Sequence, residues 1–178
     1  MDKLSYRKGV YAILAELLKE PTPEMIGELP AMAGYLDEAL KDLGYEAALP
    51  DWREWTGPDR DAAALAADYN RSFVFPPATR VVPVESVYRQ WTCDPGAKVP
   101  FAREKGYLMS DSALHMKALY DGYGLEPPPD FGAAPDHLCL ELEFMCFLLE
   151  NESPERQGVF AREHLDWVDE LARDAVTA

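Results

Sequence analysis

The stretch "APDHLCLELEFMCFLLE", Ala134–Glu150, decides the fold class. Its apolar residues recur at the spacing of one helix face, which predicts a buried stripe formed by Leu138, Leu142, Met145, Leu148 and Leu149. We predict that this helix begins near Pro135 and ends near Asn151, with proline at the first helical position and Asp136 beside the positive helix end. A cationic His137 would oppose the helix dipole there, so we expect its imidazole to be neutral or held by a carboxylate.

The same spacing recurs along the chain and predicts an all-α fold. The other predicted helices are Leu4–Glu20, about Pro23–Leu43 with a kink or break at Pro30, about Asp59–Phe73, Ser110 or Ser112 to Gly122 or Gly124, and Ser153–Ala175. A short helix is predicted at Glu85–Trp91. We therefore expect one all-helical domain over residues 1–178, a bundle of about six main helices with long irregular loops at 74–101 and 125–134.

The charge of the chain restricts its partners. Lys and Arg number 17 against 32 Asp and Glu, for a formal net charge of −15. Such a surface repels nucleic acids and anionic membranes and attracts basic ligands. No stretch reaches the roughly 18 apolar residues of a membrane span, and no signal peptide is recognisable. Three cysteines without a CxxC pair suggest no disulfide framework, and we expect Cys139 and Cys146 to be buried thiols. A cytoplasmic location without stable membrane insertion is predicted.

The Pro-Asp-His corner also suggests chemistry, which the remaining sequence does not support. His137 and Glu141 are four residues apart on one helix face and could bind a metal, but only three histidines exist in the chain. Asp136 and His137 could belong to a catalytic triad, but there is no nucleophile motif and no glycine-rich phosphate loop. We predict no catalytic residue, no metal and no cofactor, and keep an enzyme using His137 with a neighbouring carboxylate as an alternative.

Several segments, in order, resemble the TorD/DmsD/NarJ family of maturation chaperones for molybdenum enzymes. They are "LAADYNRSFV" (65–74), "VPVESVY" (82–88), "GYLMSD" (106–111), "YDGYGLEP" (120–127), "APDHLCLELEFMCFLL" (134–149) and "FAREHLDWV" (160–168). The Pro-Asp-His segment is the most specific match. Ser72 stands where leucine is commoner in the family, and Val84 where an aromatic residue is commoner.

The resemblance implies a non-enzymatic chaperone. Its partners would be the twin-arginine leader peptide and the apo-form of a molybdenum oxidoreductase catalytic subunit, and the cofactor would belong to that client. A leader of this kind joins two positive charges to an apolar run, so its receptor needs carboxylates beside an apolar groove. The predicted peptide-binding residues are Asp68, Tyr69, Phe73, Glu85, Tyr88, Trp91, Asp136, His137 and Glu141. An adaptor that binds the mature apo-subunit without reading a leader is the alternative. We expect a monomer, with a domain-swapped dimer as the other option.

Overall fold

The computed structural model describes residues 2–45, 62–74 and 81–177. Within them the chain forms eight α-helices: α1 (Lys3–Leu17), α2 (Pro23–Leu43), α3 (Ala62–Tyr69), α4 (Glu85–Tyr88), α5 (Asp111–Tyr123), α6 (Leu138–Asn151), α7 (Pro154–His164) and α8 (Val168–Thr177). A π-helical turn at Asn70–Val74 continues α3, and a 3₁₀ turn at Pro129–Phe131 precedes α6. The all-α prediction is confirmed. Residues 59–61 of the third predicted helix and 75–80 of the first predicted loop lie outside the described residues.

Most helix ends coincide with residues that cap helices. The side chains of Thr22, Ser110 and Ser153 accept hydrogen bonds from backbone N–H groups in the first turns of α2, α5 and α7. Gly44 and Gly124 end α2 and α5 with positive φ angles of 85° and 67°, a conformation that glycine adopts without a steric penalty. The first helix is shorter than predicted and ends at Leu17, and α2 continues through Pro30 without a break.

The core is organised around α6. Nine of its residues are buried, on more than one side of the helix, as expected for a helix surrounded by others. One apolar cluster joins α6 to α5 and α7 through residues such as Phe144, Met116 and Phe160. A second cluster joins Leu138 and Leu142 to Ala15, Val81, Tyr88, Trp167 and Leu171. The prediction that Leu138 and Leu142 belong to the core is therefore confirmed.

The remaining helices pack around this centre. Helix α1 packs along α6 and also against α2. Cys139 is buried and Cys146 half-buried, and both are free thiols. Among the described residues, no helix has both the length and the hydrophobicity needed to cross a membrane.

The closing segment does not form the single helix predicted over Ser153–Ala175. Helix α7 ends at His164 and α8 starts at Val168. The Trp167 indole Nε1–H donates to the backbone oxygen of His164 at 2.7 Å, which satisfies the last carbonyl of α7 with a side chain instead of the next helical turn. This break turns Trp167 into the core, where its ring stacks on Tyr88 with centroids 5.0 Å apart.

Candidate functional site

The Pro-Asp-His corner precedes α6 instead of forming its first turn. The prediction that Pro135 occupies the first helical position is wrong, because His137 is the N-cap and the helix begins at Leu138. Residues 135–136 form a turn in which His137 N–H donates to the Ala134 carbonyl at 3.1 Å, and the backbone at 136–138 pairs with residues 83–85. Val84 and His137 form an antiparallel bridge, and Leu138 N–H donates to the Pro83 carbonyl at 2.8 Å. The backbone hydrogen bonds that a helix would use are therefore made to another segment of the chain.

Asp136 fastens this segment to α4. Its backbone oxygen accepts from Glu85 N–H at 3.0 Å, and its Oδ2 accepts from Ser86 N–H at 2.7 Å and Ser86 Oγ–H at 2.5 Å. Ser86 Oγ in turn accepts from Ser110 Oγ–H at 2.8 Å. Burial raises the pKa of the Asp136 carboxyl, while the bonds from Ser86 oppose that rise. Asp136 thus caps α4, and through Ser110 it connects α4 to the start of α5.

His137 caps α6 as a neutral imidazole. Its Nδ1 accepts from Cys139 N–H at 3.2 Å, which requires an unprotonated nitrogen. Burial lowers the pKa of His137 to about 4, because the charged ring would lose its hydration. Neutrality was one of the two states expected from the sequence, and it follows here from burial without a carboxylate partner.

Glu85 is the centre of a buried polar network, with a side chain only 1% exposed. Its Oε1 accepts from Arg89 Nε–H at 3.0 Å, and its Oε2 lies 2.8 Å from His164 Nδ1. A carboxylate only accepts, so His164 carries its proton on Nδ1 and directs Nε2 toward His115 Nδ1, 2.9 Å away. Arg89 also pairs with Asp166 at the surface. The network therefore runs from the protein interior to solvent.

Glu141 approaches the same carboxylate from α6 and is fully buried. Burial, followed by the negative charge of Glu85 and a hydrogen bond to it, raises the pKa of Glu141 well above its usual value. Two carboxylates can share a hydrogen bond only if one of them holds a proton, so we assign that proton to Glu141. The Trp167 indole Nε1–H donates to its Oε2 at 3.2 Å.

An open cleft of about 1080 Å³ lies against this network, between α4, the following loop, the start of α5 and the α7–α8 corner. Six carboxylate residues and three cationic residues line it. The carboxylates are Glu85, Asp111, Glu163, Asp166, Asp169 and Glu170, and the cations are Arg89, Lys105 and Arg173. Lys105 pairs with Glu170 and Arg89 with Glu85 and Asp166. The cleft therefore has an acidic surplus that favours a cationic ligand.

An apolar pocket of about 280 Å³ adjoins the acidic cleft. Its walls include Leu119, Phe144, Val159 and Phe160, and it shares His115 and Glu163 with the cleft. Acidic and apolar surfaces thus meet at His115 and Glu163.

The family model of the nitrate reductase delta subunit matches residues 36–173. The chain belongs to this family. The resemblance to the TorD/DmsD/NarJ group is therefore confirmed. Members of the family are maturation chaperones and not catalytic enzymes, so the alternative of an enzyme that uses His137 is wrong. No curated protein and no solved structure shows a significant match to the chain.

The structure does not bring the nine predicted binding residues together at one site. Glu85 and Tyr88 line the cleft. Asp136 and Glu141 lie behind its wall and are shielded from solvent. His137, Asp68, Tyr69, Phe73 and Trp91 are not among the cleft-lining residues. Their peptide-binding roles stay predictions.

Those more distant residues have contacts of their own. Asp68 pairs with Arg71 on the surface. Tyr69 packs on Phe73 and donates from its hydroxyl to the Leu18 carbonyl at 3.1 Å. Trp91 lies in the loop after α4, where its ring meets Phe101 edge-on.

The sequence-based prediction did not include most of the acidic residues that line the cleft. Glu163, Asp166, Asp169 and Glu170 all lie in "REHLDWVDELARD", where acidic residues recur every three or four positions. That spacing predicts one charged helix face, and it could have identified these residues as candidates for binding a cation. Nothing in the sequence indicated that this face closes over His115 and Glu85, because those residues come from other helices.

Proposed function

We propose that this delta-subunit chaperone acts in the cytoplasm on a molybdenum oxidoreductase, binding the twin-arginine leader of the catalytic subunit in the acidic cleft. The observation that carries the proposal is the surplus of carboxylates around the cleft. Arginine guanidinium groups form charge-assisted, often bidentate hydrogen bonds with carboxylates, which makes them suitable occupants.

The adjoining apolar pocket supports the same ligand. A leader places an apolar run directly after its arginines, and here an apolar pocket begins at His115 and Glu163, where the acidic cleft ends. Holding the leader in this way delays export until the client has received its cofactor, which belongs to the client and not to the chaperone. Asp136 and Glu141 support the site indirectly, by fixing Glu85 at its wall.

The first experiment is calorimetric titration with leader peptides of molybdenum enzymes encoded near the gene, each compared with a version in which both arginines are lysine. We expect one leader to bind and its Lys-Lys version to bind more weakly, because lysine lacks the planar donor fork. If no leader binds to the folded protein, the proposal fails. Binding to a mature apo-subunit that lacks its leader would then establish the adaptor alternative.

A pair of charge variants locates the binding surface. Asp169→Asn with Glu170→Gln removes two carboxylates from the cleft. We expect leader affinity to fall roughly three- to thirty-fold, as for the loss of two exposed ion pairs. The matched control is Asp37→Asn with Asp121→Asn, which changes net charge equally at exposed positions that do not line the cleft. Equal losses in both variants would show that general surface charge, and not the cleft, attracts the peptide.

A further inference from the structure

Three groups that can ligate a metal meet where the acidic cleft joins the apolar pocket. His115 Nδ1 and His164 Nε2 are 2.9 Å apart, and a carboxylate oxygen of Glu163 completes a set whose ligand atoms lie within 4.8 Å of one another. His115 and Glu163 are exposed, whereas His164 is buried. An ion can therefore reach the set from solvent and be held on its inner side by a fixed ligand.

The orientation of His164 is set by groups behind it. Its Nδ1–H donates to Glu85 Oε2 at 2.8 Å, and Glu85 is itself held by Arg89. The imidazole also stacks on Phe160 with centroids 5.0 Å apart. A carboxylate that accepts from one ring nitrogen fixes the tautomer and raises the basicity of the other, and metal-binding histidines commonly have this partner.

The spacing of the nitrogens suits one ion. At a metal–nitrogen distance of about 2.1 Å, two nitrogens 2.9 Å apart subtend an angle of about 90°. Two imidazoles and a carboxylate on one side of an ion leave its remaining positions open toward the cleft. Nitrogen-rich sets of this kind favour zinc, nickel or copper over magnesium and calcium.

A second set, formed by Glu85, Glu141 and His164, is entirely buried. An ion there would have to lose its water, displace the proton of Glu141 and compete with Arg89 for Glu85. The exposed set makes none of these demands.

We propose that His115, His164 and Glu163 form a binding site for one divalent transition-metal ion, with Glu85 as the positioning residue. The site goes beyond the chaperone assignment and does not depend on leader binding. It also departs from the sequence-based expectation of no metal, because His115 and His164 come from α5 and α7 and meet only in the fold.

The test uses tag-free, chelator-treated protein titrated with Ni²⁺ or Zn²⁺ in a calorimeter. We expect one ion per chain, with affinity at least about 100-fold lower in His115→Ala. Glu85→Gln should lower affinity about 10- to 100-fold without removing a ligand. His137→Asn is the matched control, since it removes a histidine elsewhere and keeps a good N-cap.

Pulsed electron paramagnetic resonance of the Cu²⁺-loaded protein gives an independent readout. Two coordinated imidazoles are expected in the wild type and one in His115→Ala. The absence of a stoichiometric ion, or equal binding by wild type and His115→Ala, would overturn the proposal and leave the two histidines as a simple hydrogen-bonded pair. Equal losses in His137→Asn and His115→Ala would overturn it as well.

Discussion

The proton assigned to Glu141 has a measurable consequence for stability. Glu141 is fully buried, and burial together with the charges of Glu85 and Asp136 raises its pKa well above the usual 4.5. Above pH 4.5 the unfolded chain has released this proton while the folded chain still holds it. The folded state is therefore stabilised relative to the unfolded state at low pH and loses that advantage as pH rises toward the folded-state pKa.

The variant Glu141→Gln isolates the pH-dependent contribution of the Glu141 proton to the free energy of unfolding. Glutamine has the shape of a protonated carboxyl group. Its NH₂ can donate to Glu85, and its carbonyl oxygen can accept from the Trp167 indole. Glutamine does not titrate, so wild type should lose about 1.4 kcal/mol of unfolding free energy relative to the variant for each pH unit above 4.5, up to the folded-state pKa.

The measurement is urea unfolding followed by tryptophan fluorescence at pH 5, 6, 7 and 8, with both proteins in the same buffers. Glu143→Gln is the control on the same helix, because it removes a carboxyl that is 45% exposed beside Lys19 and leaves the buried carboxyl pair intact. A flat difference between wild type and Glu141→Gln over this range would show that Glu141 is ionised in the folded protein. The assignment of the shared proton would then be wrong.

Four further substitutions test the packing and the corner. Gly9→Ala should lower the free energy of unfolding in urea by about 1–3 kcal/mol, because the added Cβ would overlap the Tyr35 ring. Gly34→Ala, where nothing lies within 4 Å of the added Cβ, should raise it by about 0.5–1 kcal/mol. Equal effects of the two substitutions would contradict the close approach of α1 and α2. Leu142→Ala should cost about 2–5 kcal/mol and leave leader affinity unchanged, and lost binding in the folded variant would place Leu142 in the site. Asp136→Asn should lower the free energy of unfolding by about 1–3 kcal/mol, because it weakens the hydrogen bonds from Ser86. It should also weaken leader binding, because Glu85 is held less firmly. Unchanged leader affinity would show that the Pro-Asp-His corner does not support the binding site.

The sequence was most informative where structure depends on local chemistry. Helix α6 could be predicted from its apolar spacing, and the ends of α2 and α5 from Gly44 and Gly124. It was least informative where a distant segment changes local structure. The start of α6 is displaced to Leu138 because residues 83–85 take the hydrogen bonds of the preceding backbone, and α7 ends at His164 because the Trp167 indole reaches back to it.

The candidate site, like the fold, was predictable where local motifs determine it and unpredictable where distant segments do. Glu85, Tyr88, Asp136 and Glu141 could be singled out from motifs, and the structure brings Glu85, Asp136 and Glu141 together. Their exposure could not be predicted, because it depends on residues distant in the chain, such as His164 against Glu85 and Trp167 against Glu141. A carboxylate expected to face a peptide can instead be part of the wall behind it, and the motif looks the same in both cases.

The Pro-Asp-His corner therefore joins the core to the cleft. Asp136 holds the backbone of Glu85 from one side, and Glu141, one turn into α6, meets the Glu85 carboxylate from the other. Replacing either side chain leaves buried polar groups without partners, which costs more than the hydrogen bonds themselves contribute. Glu85 is thus held in place by the same helix that organises the core. Glu85 is only 1% exposed and its two oxygens already bond Arg89 and His164, so it acts on the cleft by fixing those two side chains at its wall before any ligand arrives, and such preorganisation lowers the cost of binding.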